Sequence, residues 1–204
     1  MLAKVKGMGA IIMIRRGLTA AVLLSVVLLT PVASRGEITK YAEQAEGGLQ
    51  LRWWPRLPLP EGWAQDAGAT RDNGCNALAP VNETFADAKA VIYGCAFYKP
   101  RMQGVRSLRA FIANDQATFR QGDPRLRLDH LADMTTAGGA RLTLYELTPG
   151  SGANWEVVAY GEEAGEPGSA PEESFFLTFA LSARSQAARD AALPAFRDML
   201  RAYR

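Results

Sequence analysis

Few residues in this chain are able to do chemistry, and their spacing narrows what that chemistry could be. His130, beside Asp129, is the sole histidine, so any serine or cysteine triad and any histidine metal site would have to use it. It lies in the run RLRLDHLADM, where five of the ten residues are charged or imidazole, and is expected to face solvent. No G-x-S-x-G nucleophile turn occurs. Asp115 is the more informative carboxylate: it stands seven residues after Leu108 and four before Phe119, where the apolar stripe of a helix calls for a hydrophobe. Burial there would disfavour ionisation and raise its pKa, as a general acid requires. A neighbouring donor would instead make it a structural hydrogen-bond acceptor. The pattern assigns no residue as catalytic.

Binding chemistry has two candidate regions. Trp53, Trp54 and Trp63 place three of the four tryptophans within eleven positions. Such rings offer large rigid contact area with a polar tip, or they close a core. In an extended segment Trp53 and Trp54 point in opposite directions, which leaves one of them as the binding candidate. Glu162, Glu163 and Glu166, with Glu172 and Glu173, make an acidic stretch EEAGEPGSAPEE that reads as a polar loop and a second contact surface. It lacks the regular Asp/Asn/Gly spacing of a calcium loop, and Gly150-Ser151-Gly152 lacks the lysine of a phosphate cradle. With two cysteines and one histidine, zinc has too few ligands. No metal or other cofactor is expected.

Where the protein works is written at its start. Lys4, Lys6, Arg15 and Arg16 precede the uncharged run Leu18 to Leu29, LTAAVLLSVVLL, which ends at Thr30-Pro31. A membrane span needs roughly 20 apolar residues, so this run has the length of a signal-peptide core, and small residues to Ser34 suit a peptidase. Residues 1–34 are expected to be a signal peptide, with an uncleaved anchor as the alternative. Met8 and Met13 are also possible starts. Export to the periplasm or the extracellular space follows, with no membrane span in the mature chain. The segment contains four of the 23 basic residues and none of the 21 acidic ones, leaving 19 against 21 and a net charge of −2. A basic surface for nucleic acid is therefore absent. In an oxidising compartment the only two thiols, Cys75 and Cys95, are expected to form a disulfide, which stabilises by roughly 3 kcal/mol in the chain-entropy model.

Residues 35–50 read as a mobile leader and residues 51–204 as a single domain. WWPRLPLPEGW is extended because its three prolines exclude helix. Asn76 to Pro80 and AVIYGCAFY read as strands, the second apolar enough to be central. Ser107 caps a helix that stops near Gly122-Asp123-Pro124. Strands then flank Gly138-Gly139, WEVVAYGEE and SFFLTFALSA follow, and a closing helix carries Leu193, Phe196, Met199, Leu200 and Tyr203 on one stripe. The predicted class is α+β, an antiparallel sheet packed by two main helices.

LPEGW, AVIYGCAFY, SLRAFIANDQATF, and FFLTFALSARS followed by LPAFRDMLRAY resemble the small PsbP-like domains of exported bacterial and thylakoid-lumen proteins, over residues 51–204. The resemblance implies an α/β/α sandwich and an accessory role without catalytic machinery. No functional residue of that family maps onto a position here. The expectation is thus a non-enzymatic exported protein that binds a protein or an envelope component. The alternatives are a hydrolase or lyase using Asp115 with His130, and a toxin inhibitor or immunity protein acting through the acidic loop.

Overall fold

Two eight-residue strands, β1 (Ile38–Ala45) and β2 (Gly48–Pro55), pair antiparallel as a two-stranded sheet of their own. In this computed structural model the described residues are 38–45, 48–150, 154–165 and 174–204; the expected signal peptide, Glu166, Glu172 and Glu173 lie outside them. The segment expected to be a mobile leader is therefore β-structured from Ile38 onward. Its sequence, ITKYAEQA, has no strict apolar alternation, and its cohesion comes from partners. Tyr41 packs on Trp54 with ring centroids 3.9 Å apart, and Trp53 stacks on Tyr98 at 5.0 Å.

After a proline-rich stretch, β3 (Trp63–Gln65) leads into α1 (Ala67–Asn73), a short helix whose interior shows no helical stripe. Its signals are at its ends. Asp66 caps it by accepting from the Ala69 amide at 2.9 Å, and Gly74 closes it with φ 65°. β4 (Asn76–Pro80) and β5 (Ala90–Tyr98) have the expected bounds. A 3₁₀ turn at Lys99–Arg101 precedes α2 (Leu108–Gly122), capped by Ser107 and stopping before Pro124. β6 (Arg127–His130) and β7 (Met134–Thr135) both pair with β8 (Arg141–Thr148). β9 (Trp155–Ala164), β10 (Ser174–Ala183) and α3 (Gln186–Ala202) complete the fold.

The class is α+β, with an antiparallel sheet ordered β3-β4-β5-β10-β9-β8-β6 and β7 attached to β8. Among the described residues three helices accompany it, the long α2 and α3 and the seven-residue α1, which was not expected. β10 holds the middle of the sheet because all ten of its residues are buried; β5, expected there, is its neighbour. Successive residues of β10 face opposite helices. Leu177, Phe179 and Leu181 meet Phe196, Met199 and Leu200 of α3, whereas Phe176 and Ala180 meet Phe111 and Ile112 of α2. The layers are helix, sheet and helix.

Cys75 and Cys95 are joined, with Cα atoms 4.5 Å apart, beside the β4–β5 pair Asn76 and Gly94. Gly94 is required by crowding. A Cβ there would lie 2.8 Å from Leu57 and 3.1 Å from Phe179, so a larger residue would push the chain that follows β2 off the sheet.

Candidate functional site

The α2 face of the sheet is apolar under the first half of the helix and polar beyond it. Strand alternation places Tyr93 of β5, Glu156 and Tyr160 of β9, and Thr178 and Ser182 of β10 on this face. Thr178 lies opposite Tyr160, Ser182 opposite Glu156, and Ala180 opposite Tyr93. α2 contributes Asp115 one turn after Phe111, which stacks on Phe176 with centroids 4.8 Å apart and so fixes the helix over the sheet.

Two sets of hydrogen bonds run between α2, β9 and β10. The Tyr160 hydroxyl donates to Asp115 Oδ2 at 2.7 Å. Asn154 donates to Ser182 Oγ at 3.0 Å, and Ser182 donates in turn to Glu156 Oε1 at 2.8 Å. On this face and on α2, among the described residues, Glu156 Oε2, Thr178 Oγ1 and Gln116 Nε2 are buried without a hydrogen-bond partner. Thr178 is only 8% exposed, so its hydroxyl has lost water without gaining a protein partner. Tyr93, Asp115 and Glu156 are themselves half-buried, which leaves the cluster open to solvent at one side.

Electrostatics follow from this placement. Burial pushes the Glu156 carboxyl up to about 7; the Ser182 hydrogen bond opposes the shift and the nearby Asp115 charge adds to it. Burial also raises Asp115, against the Tyr160 hydrogen bond. Tyr93 and Tyr160 are raised by burial first and then by both carboxylates. The interactions acting on these four groups come from one another and from Ser182, and no Lys, Arg or His among the described residues contributes. Two coupled carboxyls without a counter-cation can take up or release a proton near neutral pH, or accept hydrogen bonds from a ligand.

The structure separates the residues singled out in the sequence. Asp115 joins the cluster, but His130 does not. His130 is exposed on β6, with Nε2 3.1 Å from Asp133 Oδ1 and its ring edge against Tyr145. Asp129 pairs with Arg127 in solvent. The carboxylate coupled to Asp115 is Glu156, which the sequence reading passed over; its signal was a lone charge inside the apolar run WEVVAY. Trp53 packs against Tyr98 and Phe175, Trp54 against Tyr41, and Trp63 against the α3-side core, so all three rings are half-buried and neither Trp53 nor Trp54 is exposed. Glu162 and Glu163 belong to β9 and not to the loop, because they continue the ladder opposite Phe176 and Phe175. Glu162 pairs with Lys99 at 2.9 Å, and Glu163 accepts from the Tyr203 hydroxyl at 2.6 Å.

Among the described residues no group of three or more His, Cys, Asp or Glu could hold a metal ion, and no helix is long and apolar enough to cross a membrane. No protein-family model matches the chain, and no curated protein matches it in sequence.

Proposed function

We propose that this chain is an exported, non-enzymatic binding protein that takes a polar group of an envelope component or protein partner into the cluster beneath α2. The observation that carries this reading is the half-satisfied Glu156 carboxyl, whose Oε2 has no partner, on the same sheet face as a second unpartnered group, the Thr178 hydroxyl. Orphaned buried polar atoms cost about 1–3 kcal/mol each, a cost that persists where a ligand completes the hydrogen bonds. The disulfide is compatible with export, and the resemblance to PsbP-like domains supports an accessory role. The tryptophan segment serves this reading as the scaffold that docks the β1–β2 hairpin, not as the contact itself.

The test is retention of envelope components on immobilised protein, comparing wild type with the Thr178→Val/Glu156→Gln double variant. Loss of a retained component in a variant that melts no lower than wild type is the expected result. Equal retention by both proteins refutes the assignment of the contact to this cluster.

A second reading is favoured by one observation, the near-neutral Glu156 coupled to Asp115. Such a pair suits general acid–base catalysis by a hydrolase or lyase, with Glu156 in the place expected for His130. Turnover of a captured component that Glu156→Gln abolishes would establish it over simple binding.

A further inference from the structure

We infer that the outer face of α2 is a contact surface for an anionic lipid membrane, held by Arg106, Arg109, Arg120 and Arg125. The contact lies on the solvent side of the helix, so it is independent of the cluster on the inner side. The balance of 23 basic and 21 acidic residues, from which no basic surface was expected, averages over an uneven distribution. Between residues 99 and 127 the exposed charged side chains are Arg101, Arg106, Arg109, Arg120, Arg125 and Arg127, all of them basic. Both acids of that stretch are withdrawn from the surface. Asp115 accepts from the Tyr160 hydroxyl, and Asp123, 4% exposed, accepts from the amides of Arg125 and Gly150. Arg101 is committed to the Leu51 carbonyl and Arg127 to Asp129. The other four arginines make no ion pair among the described residues.

The helix itself gains nothing from these charges. Arg109 stands in the first turn, which holds no acid and where the positive end of the helix dipole disfavours a cation. Neither Arg109 nor Arg120 has a carboxylate three or four positions away along α2. Their spacing indicates an extended partner. Arg109 and Arg120 are eleven positions apart, about three turns, and so share one side of a helix about 22 Å long, with Arg106 before it and Arg125 after it. A single small anion cannot span that length. Between the arginines the exposed residues are Ala113, Asn114, Ala117 and Thr118. This face has no aromatic ring to stack on a nucleic-acid base and no large anchor of the kind that centres a protein interface. A fluid headgroup layer needs neither, because lipids rearrange under each charge. Phe111 and Ile112 are buried in the core, so the helix lies on the membrane surface without inserting.

Co-sedimentation with vesicles provides the test. The whole chain as exported is compared with an Arg106→Gln/Arg109→Gln/Arg120→Gln/Arg125→Gln variant and with a control that removes the same charge elsewhere, Arg71→Gln/Arg197→Gln/Arg201→Gln/Arg204→Gln. Wild type is expected to bind vesicles of phosphatidylglycerol and phosphatidylcholine in equal parts, to ignore phosphatidylcholine alone, and to dissociate as salt is raised. The α2 variant should lose on the order of fivefold for each arginine, a hundredfold or more in all, while the control keeps most of the binding. Equal losses in the two variants, or wild-type binding that salt does not weaken, overturn the assignment of the contact to this face. Binding to duplex DNA or to an acidic protein that depends on the α2 arginines, without vesicle binding, overturns the lipid partner. No binding to any of these removes the surface altogether. The Thr178→Val/Glu156→Gln variant should bind vesicles as wild type does, and a loss there would move the contact to the inner cluster.

Discussion

The two faces of one sheet are finished differently. Beneath α3 the buried Arg189, 6% exposed, is ion-paired with Glu146 and Asp190, and Tyr203 donates to Glu163, while Arg189 Nε and Asn76 Oδ1 make no hydrogen bond. Around them Phe179, Phe196, Met199 and Leu200 are all at most 1% exposed. Beneath α2 a comparable apolar patch covers only the Phe111–Phe176 end, and the remainder holds two coupled carboxyls and unpartnered oxygens. A native core normally satisfies its buried polar groups. The α2 face differs in that its carboxyls have no cationic partner given by any ion pair among the described residues, and such sites are candidates for function.

Deleting a large core side chain beneath α3 breaks this comparison most severely. Phe196→Ala should lower the unfolding free energy by about 3–5 kcal/mol in urea titration, since it leaves a cavity in a closed apolar layer. A loss below about 1 kcal/mol would show that the α3 face is not the main core.

An intermediate effect is expected from Glu156→Gln, and it has a pH signature. The folded-state pKa of Glu156 is raised from 4.5 to about 7, so the native fold favours the protonated carboxyl. Its contribution is complete below pH 4.5 and is lost as pH rises toward 7. The stability of wild type should therefore fall relative to the variant across that window, by at most on the order of 3 kcal/mol, and run parallel to it on either side. Melting temperatures of the two proteins that stay parallel from pH 4 to pH 8 would show that the carboxyl is not held in a desolvated setting.

The smallest change is the sharpest discriminator. Thr178→Val removes a hydroxyl that has no partner and keeps the side-chain shape, so stability should stay constant or rise by about 1 kcal/mol. A loss of that size would mean that the hydroxyl is satisfied in the folded protein and that the two faces do not differ in the way described.

Much of the frame was legible in one dimension. Ser107 and Pro124 bracketed α2, and Asn76 to Pro80 and AVIYGCAFY gave β4 and β5, because caps, prolines and apolar runs act through neighbours in the chain. α1 was missed since seven residues show too little periodicity, although Asp66 and Gly74 marked its ends. The β1 strand was missed because it depends on Trp54 and on the docking of Trp53 against β5 and β10. Of the site, Asp115 was visible as a charge in an apolar stripe, whereas the choice of its partner was not.

By itself the sequence determined the α+β class, the strand and helix periods, the pairing of its only two cysteines and the anomaly at Asp115. Those properties depend on local sterics, hydrophobic period and a count of thiols. The tertiary structure alone decided that Glu156 and not His130 stands with Asp115. Asp115 is on a helix and Glu156 on a strand about 40 residues further on, and only the register of β9 against β10 and the stacking of Phe111 on Phe176 bring the two carboxyls to the same face of the sheet.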